Sequence, residues 1–164
     1  MRSISMDEAL SVLLNTFKHA KKMDAHALGA IVLDPGGRVK AFLKQDGASL
    51  LRYEIAHGKA FASLALHRSS RMVLQKAREK PHFMEAMREL SPGPIFPEGG
   101  GQLIRDPNGD IIGAIGVTGD VNDVDDICAI EGIRASGFKS DDDFSTEDCK
   151  RFNIKKGPPI KDPR

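Results

Sequence analysis

Tryptophan is absent from this sequence, and Tyr53 is its single tyrosine. Aromatic side chains make up 5% of the 164 residues. Proteins that hold single-stranded nucleic acid stack its bases on such rings, so a nucleic-acid platform is not expected. Neither sign of charge is in excess. The formal net charge of +1 gives no drive toward nucleic acid or an acidic membrane surface. No apolar run approaches the roughly 20 residues of a membrane span. The opening MRSISMDEAL lacks the apolar core of a secretory leader. The two cysteines, Cys128 and Cys149, stand far apart and form no CxxC pair. Two free thiols in a reducing compartment is the preferred reading, with one disulfide as the alternative. A cytoplasmic protein is expected, its length suited to one domain with a sizeable core.

Metal-site patterns are also missing. His19, His26, His57, His67 and His82 include no HxxxH or HExxH pair, so a zinc site is not expected. Asp120, Asp123, Asp125 and Asp126 lack the register and central glycine of a calcium loop. Helix capping accounts for them more simply. No serine sits in the nucleophile elbow of a hydrolase.

What is present reads as helix, hairpin, helices, hairpin, helix. Ser5-Met6-Asp7-Glu8 has the form of a capping box. Met6, Leu10, Leu13, Phe17 and Ala20 then recur at helical spacing to about Met23. LGAIVL at 28–33 and RVKAFL at 38–43 flank Asp34-Pro35-Gly36-Gly37, which predicts an antiparallel hairpin. A helical region follows from about Leu51 to Leu66, with Gly58 inside it, where another backbone could pack closely. Ser69-Ser70 marks a new start, and Pro81 suits the first turn of a further helix through Leu90. Ser91 to Gly101 is a loop with three prolines, a candidate binding loop or lid or a plain crossover. Residues 102–105 and 111–118 flank Asp106-Pro107-Asn108-Gly109 and predict a second hairpin. Asp123-x-x-Asp126 is read as the cap of a last helix, from about Val124 to Ser136, with Gly137 ending it. The order lacks βαβ alternation, so the expected class is α/β in the segregated α+β sense: an antiparallel sheet from two hairpins with helices on its faces. Residues 1–138 form the expected domain. Residues 139–164 are a polar extension that packs on a neighbour or stays loose.

The stretch GAIGVTG at 113–119 is not a dinucleotide fingerprint, since its glycines lie inside a strand at the wrong spacing. They let another backbone, a helix or a flat ligand approach, or they serve sheet twist and helix packing alone.

These pieces together resemble the GlcG/HbpS haem-binding family, which includes the C-terminal domain of PduO-type proteins. The resemblance rests on ISMDEAL, on IVLDPGGRVKAFLKQDGA, and on Ala56, Lys59 and Ala60 in IAHGKAFASLAL. It continues with Gly99-Gly100, GAIGVTG, Asp125, Cys128-Ala129 and Gly132. It implies a profilin-like fold, frequent homo-oligomers, and haem or a related tetrapyrrole as ligand in some members. It carries over no particular axial ligand.

Two functional readings follow. The first is a module binding haem or another small molecule, with His57, Lys59, Gly99, Gly100, Gly116 and Thr118 as candidate cofactor-binding residues. The second is an enzyme, or an accessory to one, acting on a small oxo- or hydroxy-acid, with Asp46, Lys59 and Glu98 as candidate catalytic residues. Lys59 and Asp46 could equally form an ion pair pinning the helix to the hairpin. A homo-oligomer is expected, with its interface next to the Asp46–Lys59 region.

Overall fold

The computed structural model describes residues 2–164. The chain opens with α1 (Met6–Lys22), followed by β1 (Gly29–Leu33) and β2 (Val39–Lys44). Three helices come next: α2 (Arg52–Leu66), α3 (Ser70–Glu79) and α4 (Pro81–Leu90). The second hairpin is β3 (Gly101–Arg105) and β4 (Ile111–Thr118). It is followed by α5 (Asn122–Ala135), a 3-10 turn at Asp141–Asp143, and α6 (Thr146–Arg151).

The four strands form one antiparallel sheet in the order β2-β1-β4-β3. The two hairpins therefore meet through β1 and β4, with Gly29 opposite Thr118 and Leu33 opposite Ala114. Both tight turns use the same local chemistry. Asp34 Oδ1 accepts from the amides of Gly36 and Arg38, and Asp106 Oδ1 accepts from those of Asn108 and Asp110. Gly37 and Gly109 take φ of +81° and +89°, which glycine allows without steric cost.

Helices cover both faces of the sheet. Ala56 and Ala60 of α2 pack against Ile31, Leu33, Leu103 and Ala114. On the opposite face, α1 and α5 pack against Ala30, Val32, Ile104, Ile115 and Val117. All five residues of β1 are buried, as a central strand covered on both faces requires. The antiparallel α+β architecture expected from the hairpin pattern is the one observed.

The capping box of α1 forms as expected: Ser5 Oγ accepts from Glu8 N at 3.2 Å, and Ser5 N donates to Glu8 Oε2 at 2.8 Å. The buried face of α1 is rotated from the expected one. Met6 is 58% exposed, and Ala9, Val12, Leu13, Thr16 and Ala20 face inward. The reason is the crossing with α5, where a Cβ on Gly132 would lie 2.0 Å from Thr16 Oγ1. That close approach selects small side chains on α1.

The segment beyond residue 138 neither hangs free nor forms a second layer. Lys139 bridges the outer edge of the sheet by pairing with Arg105. Phe144 and Ile154 are buried, and Phe152 covers Gly109. Further along, Arg71 donates to the carbonyl of Pro158, and Arg164 pairs with Asp120 at 2.5 Å. Cys128 is buried and Cys149 partly exposed, and both are free thiols. Burial pushes the Cys128 thiol up to about 12, so it is not a reactive thiolate.

Candidate functional site

Six of the candidate residues converge where α2 passes the ends of β3 and β4. The convergence begins with missing side chains. A Cβ on Gly116 would lie 2.0 Å from the Ala56 carbonyl, and one on Gly101 would lie 2.3 Å from the Lys59 carbonyl. The helix backbone is thus seated directly on the strands. The space above Gly116 is filled by α2, so this glycine of GAIGVTG serves close helix packing, while Gly113 lies against the Leu33 carbonyl and Gly119 against the Ala27 carbonyl.

That seating points Lys59 under the sheet edge, where the residue is 3% exposed. Its Nζ donates to Val117 O at 2.9 Å and to Asp125 Oδ2 at 3.0 Å. Asp125 Oδ1 accepts from Asp120 N at 3.0 Å. Next to it, Asp126 Oδ1 accepts from Gly100 N at 2.9 Å and Gln102 Nε2 at 2.7 Å. Its Oδ2 is buried without a partner. Burial pushes both carboxyls up to about 6, with Lys59 opposing the shift at Asp125 and the Gln102 and Gly100 hydrogen bonds opposing it at Asp126.

The ion pair of Lys59 with Asp46, one of the two readings of these residues, is not the one formed. Lys59 pairs with Asp125, and Asp46 lies exposed in the turn after β2. Among the described residues no hydrogen bond or ion pair joins Asp46 to Lys59. The expected cap at Asp123-x-x-Asp126 is also replaced. Val121 is the N-cap residue, with no side-chain cap, because Asp126 turns inward to the glycine loop.

The other candidates lie around this cluster. Glu98 accepts from Asn122 Nδ2 at 2.7 Å, and its carbonyl accepts from the buried Ser70 Oγ. Gly99 and Gly100 are buried. A Cβ on Gly99 would lie 2.6 Å from the unpartnered Asp126 oxygen. Thr118 is 2% exposed and accepts from Arg52 Nη1 at 2.7 Å. His57 stands apart, in an aromatic row on α2. Its ring lies 5.7 Å from Tyr53 and 6.3 Å from Phe61, and Tyr53 packs edge-on against Phe42. Partial burial lowers the His57 pKa, which favours neutral imidazole.

The buried cluster is a closed ionic core. Open space lies on the other face of the sheet, between the end of α1 and the edge strand β2. A groove of about 850 Å³ there has Phe17, Ala20, Ala25, Ala27 and Leu43 among its lining residues. Lys18 and Lys21 stand on the helix side and Lys44 on the strand side, with Asp24 and Asp46 also on the rim. Among the described residues that line it there is no histidine, cysteine or methionine. No periodic signal marks this groove, because its two walls come from separate elements brought together by the fold. Among the described residues, no group of three metal-ligating side chains is gathered, and no helix is long and apolar enough to cross a membrane.

Known structures share this architecture. Klebsiella pneumoniae protein ORFY matches with a TM-score of 0.73 and 22% identity, over 84% of this chain and 92% of that one. A double mutant of Streptomyces reticuli HbpS matches with a TM-score of 0.71 and 22% identity, over 82% and 87%. The structure described as a PduOC:Heme complex matches with a TM-score of 0.73 and 18% identity, over 84% and 98%. No curated protein matches the sequence. The family model "Haem degrading protein HbpS-like" matches residues 4–134, and the chain belongs to that family. The match ends before the segment that pairs Lys139 with Arg105 and Asp141 with Arg105.

Proposed function

We propose that this protein binds haem, or a tetrapyrrole of the same shape and charge, in the groove between α1 and β2. The observation that carries the reading is the pairing of an apolar floor with a rim on which Lys18, Lys21 and Lys44 outnumber Asp24 and Asp46. A tetrapyrrole of this kind is a flat apolar plate with carboxylates on one edge. Phe17, Leu43 and the alanines between them offer the plate a surface to cover. Lys18 and Lys21, three residues apart on one helix face, and Lys44 across the groove can take the carboxylates. The groove size fits small-molecule sites in general. Family membership and the haem-bound relative support the ligand class.

Bound there, haem would supply its own iron chemistry. The residues named here hold and orient it, and they contribute no axial nitrogen or sulfur. Binding in this groove is therefore driven by the plate and its carboxylates, and it is indifferent to iron. His57, neutral and half-buried on the opposite face, is the competing seat. The protein acts as a cytoplasmic homo-oligomer in this reading, in keeping with its two free thiols.

The test is titration with haemin and with metal-free protoporphyrin IX, followed by absorbance and fluorescence. Both are expected to bind stoichiometrically with similar affinity. Charge reversal by Lys21→Glu with Lys44→Glu is expected to weaken both by roughly tenfold or more. Undiminished binding after that reversal, or loss of binding in His57→Ala, would overturn the groove as the seat.

A further inference from the structure

A second surface carries chemistry that the ligand groove does not use. Large apolar side chains are exposed at the start of α2, at the end of α4 and in the proline-rich loop that follows it. Leu50 is 85% exposed, Leu51 56% and Tyr53 37% at the start of α2, Leu90 85% at the end of α4, and Phe96 38% in the proline-rich loop. Leu51 and Phe96 line a groove of about 410 Å³ with Ile55, Gly58 and Ile95. Its shape is fixed by Gly58. A Cβ there would lie 2.7 Å from that of Phe96, and Phe96 N donates to the Gly58 carbonyl at 3.1 Å. The loop is thereby locked onto the helix as one wall of a rigid trough. Exposed apolar groups gathered around one concave surface mark an interaction site.

The same groove holds one acid and one base, Glu54 on α2 and Arg88 on α4. Among the described residues neither has a hydrogen-bond or ion-pair partner within the chain. A surface with one charge of each sign and an apolar centre is complementary to itself. A two-fold axis through it sets Glu54 against the partner's Arg88, and repeats that pair by symmetry.

We propose that this trough is the surface through which two copies of the chain pair about a two-fold axis, with Glu54–Arg88 contacts flanking an apolar centre of Leu51 and Phe96. The inference rests on the reading that the protein self-associates, and it names the surface and the contacts. The centre supplies the buried apolar area. The charge pairs set the register and reject other alignments.

Mixing of charge variants tests this. Light scattering behind size exclusion at micromolar concentration is expected to give the wild type a mass of at least twice the 17.8 kDa chain. Glu54→Arg places like charges across the axis and is expected to weaken pairing by roughly a hundredfold. Arg88→Glu does the same with the opposite sign. An equimolar mixture of the two variants brings unlike charges together at both contacts and is expected to restore the paired mass. An intrachain Glu54–Arg88 bridge could not produce that recovery. If each variant alone keeps the wild-type mass, self-association stands and this surface is overturned. If the mixture stays dissociated, the contacts are overturned. A wild type that runs at the mass of one chain overturns both the surface and the self-association reading.

Discussion

Lys59 on α2 and Asp125 on α5 join helices that pack on opposite faces of the sheet. Their charged atoms lie 3.0 Å apart, buried past the end of β4, and the lysine also holds the Val117 carbonyl. The pair acts as a clasp around the sheet edge. Removing one partner leaves the other buried without compensation. Lys59→Ala is expected to destabilise the fold by about 3–5 kcal/mol, measured by chemical denaturation. Lys59→Ala unfolding at the wild-type denaturant midpoint would contradict this role.

At Gly116 the backbone of α2 sits directly on β4. Gly116→Ala puts a methyl carbon 2.0 Å from the Ala56 carbonyl oxygen. The helix must lift as a unit, because the methyl meets backbone atoms of Ala56 and Ala60 that have no rotamer to turn away. An overpacking cost of at least roughly 1–3 kcal/mol is expected, read as a lowered thermal midpoint.

Both readings of the glycine-rich strand were open from the sequence, and at Gly116 the distance to the Ala56 carbonyl decides for helix packing. The hairpins were legible because Asp-Pro-x-Gly carries its turn geometry locally, through the aspartate side chain and one positive-φ glycine. The capping box at Ser5 and Glu8 was legible for the same reason. The Lys59–Asp125 pair was not, since its partners lie 66 residues apart and no periodic pattern encodes such a contact. Asp126 looked like a capping residue because short-range spacing favours that use, and its inward turn depends on a loop from another part of the chain. The ligand groove belongs to the same class of hidden feature.

The carboxyls of Asp125 and Asp126 give stability a definite pH dependence. Burial raises each to about 6, above the roughly 4 of an unfolded chain. Between these values the folded state keeps protons that the unfolded chain has shed. Their contribution is therefore fully present below about pH 4 and is lost as pH rises through about 6. Asp126→Asn keeps an acceptor for Gly100 and Gln102 without the charge. Its stability relative to wild type is expected to rise between pH 4 and pH 7, measured as the difference in denaturant midpoint. A constant difference across that range would contradict the assignment.

Arg105 and Asp141 secure the segment beyond the family match. Arg105 Nε lies 2.6 Å from Asp141 Oδ1, and both side chains are buried. Arg105 Nη1 also donates to Gly109 O at 2.8 Å. Asp141→Ala strands the guanidinium, with an expected cost of about 3–5 kcal/mol. The local consequence is release of the segment from the sheet edge. Trypsin is expected to cut after Lys150 and Arg151 faster in the variant than in the wild type, before the body of the domain is attacked. Equal cleavage rates would show that the pair does not hold the segment.

A crystal structure of the protein grown with metal-free protoporphyrin IX would show directly whether a flat anionic ligand sits between α1 and β2. The ring is expected against Phe17 and Leu43, with its carboxylates toward Lys18, Lys21 or Lys44. A ring found against Tyr53 and His57 instead, or a groove left empty at saturating porphyrin, would contradict it.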